Sequence, residues 1–129
     1  AAAELSLPGR EPALMVAVDA RRGEVYAQAF DASGREAQTP PQLLSIANAA
    51  RFGAPASLLV VGSAAEAVAA AAADAGRPAR AALPDLRPAA SMLARMAARL
   101  APLTEPLRPL YLRPPDAKPQ TGKSIARAP

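Results

Sequence analysis

The chain has 129 residues and contains neither cysteine nor histidine. The lack of cysteine excludes a disulfide framework, and the lack of both residue types excludes the usual zinc site. Ser-His-Asp and Cys-His catalysis within the chain is also excluded, because the histidine base is missing. Histidine is the side chain that most often exchanges protons near neutral pH, so acid–base catalysis lacks its commonest agent here.

Aromatic residues and long apolar runs are scarce too. Only 3% of the residues are aromatic although 51% are hydrophobic, because most of the apolar content is alanine. Alanine buries little area, which predicts a thin, helix-rich core. The longest apolar run, at 67–73, is far shorter than the roughly 20 residues that a membrane-spanning helix needs. The first residues include the acidic Glu4 and no basic region, so we expect no signal peptide there.

The net charge of +4 comes from the end of the chain. Residues 1–107 carry ten basic and ten acidic side chains, whereas residues 108–129 carry five basic side chains against Asp116 alone. The balanced body predicts no basic face that would bind a nucleic acid by itself. Residues 114–129 are rich in proline, and we expect this tail to be disordered. Weak, salt-dependent affinity of the basic tail for RNA is an open alternative.

Hydrophobic periodicity predicts strands and helices along residues 13–113. We expect strands at 13–20, 24–31, 35–38, 57–61 and 80–83, an edge strand at 110–113, and helices at 39–53, 63–76 and 88–100. The first three strands form an antiparallel meander, because short glycine-containing turns join them. The helix at 88–100 carries an apolar stripe that we interpret as core, formed by Met92, Leu93, Met96 and Leu100.

Three short patterns are candidates for a binding or catalytic site. Ser63 and Glu66 have the S-x-x-E spacing of a capping box, which we favour over a nucleotide site at the Gly62–Ser63 turn. Gly122-Lys123-Ser124 resembles the end of a phosphate-binding loop. We reject that interpretation because Ala117 stands where the first glycine of the pattern is required.

The third pattern is a pair of acidic residues, Asp19 and Glu24, on either side of a turn. Paired carboxylates can hold a metal ion or perform acid–base chemistry. Arg21 and Arg22 lie between them, however, and neutralise them locally. We therefore interpret this segment as a hairpin with exposed ion pairs.

Two motifs resemble the TsaB family, also called YeaZ. The residues DARRGEVY at 19–26 are similar to the DAR…EVY signature that opens the second half of TsaB proteins. The residues PLYLR at 109–113 resemble the P-x-Y-L-R that closes these proteins. The elements predicted between the two motifs follow an order similar to that of the family's second lobe, so the resemblance covers roughly residues 1–113.

The resemblance implies an α/β fold, namely one lobe of an actin-like, Hsp70-like (ribonuclease H-like) ATPase fold. Such a lobe combines an antiparallel meander with strand–helix units in a mixed sheet with helices. Residues 1–12 would then be the remnant of an interlobe helix and a loop, residues 13–113 the C-terminal lobe, and residues 114–129 the Pro-rich basic tail. The family's first lobe, where the main TsaD interface is expected, is not among these residues.

The resemblance further implies a bacterial, cytoplasmic, non-catalytic scaffold in the complex that forms N6-threonylcarbamoyladenosine in tRNA. The expected partners are TsaD, which holds the catalytic metal and nucleotide chemistry, and TsaE, an ATPase, and tRNA is contacted indirectly. We expect no catalytic residue, metal or cofactor in this chain. The alternatives are a glycoprotease-like or ATPase enzyme of the same superfamily, or a tRNA-binding accessory lobe.

The resemblance also assigns roles to six residues, all of them structural or at an interface. Four are expected to fix the hairpin and contribute to an interlobe surface: Asp19, Arg21, Glu24 and Tyr26. Tyr111 and Arg113 are expected to hold the end of the chain against the sheet. A lobe without its neighbour exposes apolar surface, so we also expect a homo-oligomer.

Overall fold

The computed structural model describes residues 12–53 and 57–115. Its strands are β1 (Ala13–Asp19), β2 (Glu24–Phe30), β3 (Gln42–Ser45), β4 (Leu58–Val61) and β5 (Ala79–Ala82). Its helices are α1 (Ile46–Arg51), α2 (Ala65–Asp74) and α3 (Ala90–Ala97). The predicted helix remnant before residue 12 and the tail after residue 115, with its Gly122-Lys123-Ser124 segment, lie outside the described residues.

The strands form one mixed sheet in the order β3-β2-β1-β4-β5. β1 pairs antiparallel with β2, and β2 pairs antiparallel with β3. β4 lies parallel to β1 on its other side, and β5 lies parallel to β4. Parallel neighbours need a crossover connection, and α1 and α2 lie in the connections that lead to β4 and β5. The predicted α/β class is confirmed, with an antiparallel meander followed by strand–helix–strand connections.

The core lies between one face of the sheet and the helices α1 and α2. Alternate strand residues such as Met15, Ala17 and Val25 point into it and are almost fully buried. Ala49 of α1 and Val68 of α2 belong to the same cluster. Fully burying a large aliphatic side chain contributes about 1.5–3 kcal/mol. Few core residues are that large, and alanine supplies much of the buried cluster.

The region between β2 and α1 differs from the prediction. No strand forms at 35–38, where only Ala37 makes an isolated bridge to Phe30. Residues 42–45 form the third strand instead of a helical turn, and α1 begins at Ile46 with Ser45 as its N-cap. The Ser45 hydroxyl accepts the Asn48 N–H at 3.2 Å. Residues 42–45 pair instead with the edge of β2, a partner that the local sequence does not contain.

The predicted capping box at Ser63 is wrong. The N-cap of α2 is Ala64, and no side chain caps this helix. The Ser63 hydroxyl instead accepts the backbone N–H of Asp19 at 3.0 Å. Gly62 explains this arrangement, because it has a φ of +104° and an added Cβ would lie 2.5 Å from the Ala17 carbonyl oxygen. The turn before α2 therefore presses against the end of β1, which places the Ser63 hydroxyl beside β1 rather than over its own helix.

The bounds of β1, β2, β4, β5 and α2 agree with the prediction to within two residues, and α3 ends three residues earlier than predicted. α2 ends before Gly76, whose positive φ suits the left-handed end of a helix. The Arg77 N–H donates to the Ala72 carbonyl at 2.9 Å, which satisfies a carbonyl of the last turn. The edge strand expected at 110–113 does not form, and these residues have no regular secondary structure. Among the described residues, no helix has the length and apolarity to cross a bilayer.

The interpretation of the α3 stripe as core is wrong. α3 forms within the predicted range, but Met92, Leu93, Met96 and Leu100 are each more than half exposed. Periodicity defines which residues share a helix face, but it does not say whether another element covers that face. α3 makes no close backbone approach to any other described element. It lies beside the second face of the sheet, where Val18 of β1 is also exposed.

Candidate functional site

The turn between β1 and β2 has a left-handed backbone at three consecutive residues. The φ angles of Arg21, Arg22 and Gly23 are 65°, 58° and 74°. The Ala20 N–H donates to the Glu24 carbonyl at 2.9 Å, which closes the turn. Left-handed backbone costs roughly 1–2 kcal/mol per residue other than glycine. Tight hairpins therefore favour asparagine or glycine at such positions, whereas this chain has two arginines.

Asp19 supports the turn from the end of β1. Its carboxylate accepts the backbone N–H of Arg21 at 2.8 Å. The same carboxylate lies 3.6 Å from the Arg21 guanidinium, whose side chain is 86% exposed. An ion pair this exposed contributes little to stability, so the backbone hydrogen bond is the stronger of the two contacts. The Arg21 side chain extends into solvent, where a partner could reach it.

Glu24 at the start of β2 and Arg113 near the end of the described residues are joined by a side-chain contact. The Arg113 guanidinium donates to a Glu24 carboxylate oxygen at 2.5 Å, although the two residues are 89 positions apart in sequence. Their side chains are 38% and 20% exposed, so solvent only partly screens this pair. Charge-assisted hydrogen bonds are stronger than neutral ones. This contact fastens residues 109–113, which we call the closing segment, to β2.

Tyr26 lies beside the same segment. It lines a cleft of about 290 Å³ together with residues 110–113. In the sheet, Tyr26 is paired with Val18 of β1 on one side and with Leu43 of β3 on the other. Its side chain is half-buried, whereas that of Tyr111 is 80% exposed. Arg113 therefore makes the anchoring contact of the closing segment, and Tyr111 presents its ring to solvent.

The structure thus brings together some of the residues that the sequence singled out. Glu24, Tyr26, Tyr111 and Arg113 surround one cleft and ion pair on the second face of the sheet. The carboxylate of Asp19 contacts Arg21 at the turn, while that of Glu24 contacts the closing segment. The ion pair of Asp19 with Arg21 is the exposed pair expected within the hairpin, whereas the pair of Glu24 with Arg113 was not predicted. Within residues 12–53 and 57–115, no three metal-ligating side chains cluster closely enough to hold an ion.

The Gly62–Ser63 turn has few free donors for an anion. The Gly62 N–H donates to the Leu83 carbonyl at 3.3 Å, and the Ala64 N–H donates to the Ala17 carbonyl at 3.1 Å. The Ala65 N–H donates to the Gly62 carbonyl at 2.9 Å. A helix N-terminus binds phosphate through N–H groups that point at the ligand. These three amides are used within the fold, which disfavours a nucleotide site at this turn.

The glycine-containing turn predicted after β2 is present, but the role of Asp31 in it was not predicted. The Asp31 carboxylate accepts the backbone N–H groups of Arg35 and Glu36, both at 2.9 Å, and the Ser33 hydroxyl at 2.5 Å. The hydrogen bond from Ser33, followed by the one from the Glu36 backbone, lowers the pKa of Asp31 to about 2. Aspartate at the start of a Ser-Gly turn is the signal that could have predicted this role.

Arg77 is a second residue that the sequence did not single out. Its guanidinium donates to the carbonyls of Ala50 and Phe52 at 3.1 and 2.9 Å, so it satisfies the end of α1. Burial lowers the pKa of this side chain. Arginine near a helix C-terminus commonly bonds the last carbonyls. No sequence pattern pairs the end of α1 with Arg77, because that contact exists only in the folded chain.

Comparison with known proteins does not identify a family. The chain matches no protein-family model, and no curated protein is significantly similar to it. Its α/β sheet and the contacts of its two motifs are therefore the observations on which a function can be argued.

Proposed function

We propose that this chain is one lobe of an actin-like, ribonuclease H-like protein of the TsaB type. In this proposal it is a non-catalytic scaffold in the complex that forms N6-threonylcarbamoyladenosine in tRNA. The support from the fold is general: a three-stranded antiparallel meander and two parallel strands with their helices make up one mixed sheet. This is the combination that the resemblance to TsaB predicts for the second lobe.

The observation that carries the proposal is the contact between the two TsaB-like motifs. Glu24 belongs to the hairpin motif and Arg113 to the closing motif, and their side chains form an ion pair. Tyr26 of the first motif lines a cleft with residues 110–113. Two motifs that recur together in a protein family are expected to depend on one another physically. The contact between the two motifs is a physical reason for them to occur together in this chain. Two motifs that resembled the family by chance would have no reason to touch.

The scaffold role is supported by how the motif residues are used. The Asp19 carboxylate accepts the Arg21 backbone N–H, which supports the hairpin turn, and the Glu24 carboxylate bonds Arg113 of the closing segment. Arg21 occupies a strained turn position while its charged end remains in solvent. Strained backbone that persists at a surface is often linked to function. We therefore propose that the turn presents positive charge to a partner subunit of the TsaD or TsaE type.

Reconstitution tests this function directly. The complete gene product would be mixed with TsaD- and TsaE-type subunits, unmodified tRNA and the threonylcarbamoyl donor, and the modified nucleoside would be measured by mass spectrometry. We expect modification only when the gene product is present. Modification of equal extent without it would refute the scaffold role.

A binding assay locates the partner surface. We expect the 129-residue chain alone to bind a TsaD-type subunit weakly, because the main interface of the family is expected in the other lobe. The complete gene product should bind it strongly. Strong binding by the 129-residue chain alone would overturn that assignment of the interface. ATP hydrolysis lost in Asp19→Ala or Glu24→Ala would instead favour an enzyme of the same superfamily.

A further inference from the structure

An apolar groove runs between α3 and the second face of the sheet. Its volume is about 360 Å³. None of the motif residues described above lines it, although Tyr26 is paired in the sheet with Val18, which does. Two residues of β1 form its floor and four residues from the 86–96 segment form its wall: Val16, Val18, Leu86, Met92, Leu93 and Met96. We call this feature the arginine-rimmed groove, because Arg87 also lines it.

The groove lining is exposed to an extent that is unusual for such side chains. Leu86, Met92, Leu93 and Met96 are 50–62% exposed. Contiguous exposed apolar surface on a soluble domain commonly marks an interaction site. Unbranched methionine side chains adapt to partners of different shape, which suits a groove that receives side chains from another molecule.

Arginines outnumber acidic residues in the segment that forms the groove wall. Arg95 and Arg99 lie on α3 and in the turn that follows it, at helical positions that border the methionine stripe. Together with Arg87 they give three arginines between residues 86 and 104, a stretch without an acidic residue. Asp85 precedes this stretch. In residues 12–53 and 57–115, none of the three arginines has an acidic partner.

We propose that the arginine-rimmed groove binds an acidic amphipathic helix of a partner protein. Leucine-like side chains of that helix would enter the groove at helical spacing, and its aspartate or glutamate residues would meet the arginine rim. This is helix-in-groove recognition, with apolar anchors for affinity and charge for orientation and rate of association. The inference does not rest on the proposed function, because it uses none of the motif residues.

Three other occupants fit the groove less well. A second copy of this chain would bring a second arginine-bearing α3 against the first, and like charges oppose that approach. Single-stranded RNA stacks its bases on aromatic rings, and the groove lining contains none. A membrane surface would contact α3 but would not reach Val16 at the groove floor.

The test uses designed peptides of about 18 residues, long enough to form a helix. The acidic peptide carries leucines at helical spacing with glutamates elsewhere, and a matched basic peptide carries lysines in place of the glutamates. Binding to the 129-residue chain would be measured by fluorescence anisotropy. We expect the acidic peptide to bind about tenfold more tightly than the basic one, with a preference that falls as salt rises.

Variants connect the binding to the groove. Met96→Asp places a charge among the apolar anchors and should weaken binding by about tenfold or more. Met92→Ala is a second, milder variant, and circular dichroism checks that both remain folded. Arg95→Ala and Arg99→Ala should each weaken binding of the acidic peptide about threefold. Arg51→Ala removes an exposed arginine of α1, away from the groove, and serves as the matched control that leaves binding unchanged.

Four results would overturn the proposal. The first is equal affinity for the acidic and basic peptides, and the second is binding that neither methionine variant reduces. The third is a dimer that Met96→Asp converts to monomer while the acidic peptide fails to bind, which would make a second copy the occupant. The fourth is binding of an RNA oligonucleotide or of anionic lipid vesicles that is tighter than that of the acidic peptide and that Met96→Asp weakens.

Discussion

Replacing Arg113 with alanine should release the closing segment from the sheet. Its guanidinium donates to Glu24 at 2.5 Å, and the two side chains are 20% and 38% exposed. A hydrogen bond to a charged group contributes about 1.5–3 kcal/mol, whereas an exposed ion pair contributes about 0–1 kcal/mol. Because solvent still reaches Glu24, we expect a coupling energy between the two side chains of about 1–1.5 kcal/mol.

A double-mutant cycle measures this coupling. Glu24→Ala, Arg113→Ala and the double variant would be unfolded in urea and followed by circular dichroism. We expect Arg113→Ala to lower the free energy of unfolding by about 1–2 kcal/mol. Cleavage by a protease within residues 101–115 should increase as well, since this segment loses its described ion pair to the sheet.

Arg21→Ala is the control for this cycle. Arg21 also pairs with an acid of the hairpin, but its side chain is 86% exposed. We expect its removal to change the free energy of unfolding by no more than about 0.5 kcal/mol. A coupling between Glu24 and Arg113 below about 0.3 kcal/mol would refute the reasoning, because additive effects mean that the two side chains do not interact. An equal loss in Arg21→Ala would refute it too.

The remaining predictions concern the turns, one carboxylate and the assembly state. Gly62→Ala should lower the free energy of unfolding by about 3 kcal/mol or more, since φ is +104° and the new Cβ would lie 2.5 Å from the Ala17 carbonyl oxygen. Arg21→Asn should raise the free energy of unfolding, measured by urea titration, by about 0.5–1 kcal/mol, because asparagine tolerates left-handed backbone. A lower free energy of unfolding would contradict the strain argument. An NMR titration should give a pKa of about 2 for Asp31, and Ser33→Ala should raise this pKa. Because folding lowers this pKa, the ionised Asp31 stabilises the folded state at pH values above the ordinary aspartate pKa, and this stabilisation disappears as the pH falls through about 2. A difference in the free energy of unfolding between Ser33→Ala and the parent that does not change with pH would contradict this. Light scattering should give a mass above that of a monomer, and a monomeric mass would rule out the expected homo-oligomer.

The sequence predicted best where local chemistry determines local structure. The bounds of β1 and β2 agree to within one residue, because an apolar run, a glycine-containing turn and a second run specify a hairpin. The end of α2 is right because Gly76 allows the left-handed backbone that terminates a helix. The α/β class followed from the order of these elements.

Prediction failed where the outcome depends on a distant neighbour. Residues 42–45 form a strand because the edge of β2 is available to them, and no local pattern contains that edge. Ser63 bonds Asp19, which is 44 positions away, instead of its own helix. Within the candidate site, the sequence supplied the residues but not their contacts. The ion pair between Glu24 and Arg113 joins positions that only the folded sheet brings together.

The most direct test of the central claim is the amount of N6-threonylcarbamoyladenosine in cellular tRNA when the gene for this chain is depleted. Nucleosides from total tRNA would be quantified by mass spectrometry before depletion, after depletion, and after restoring the gene. A scaffold of the TsaB type predicts that the modified nucleoside falls on depletion and returns with the restored gene. An unchanged amount after complete depletion would contradict the proposed function.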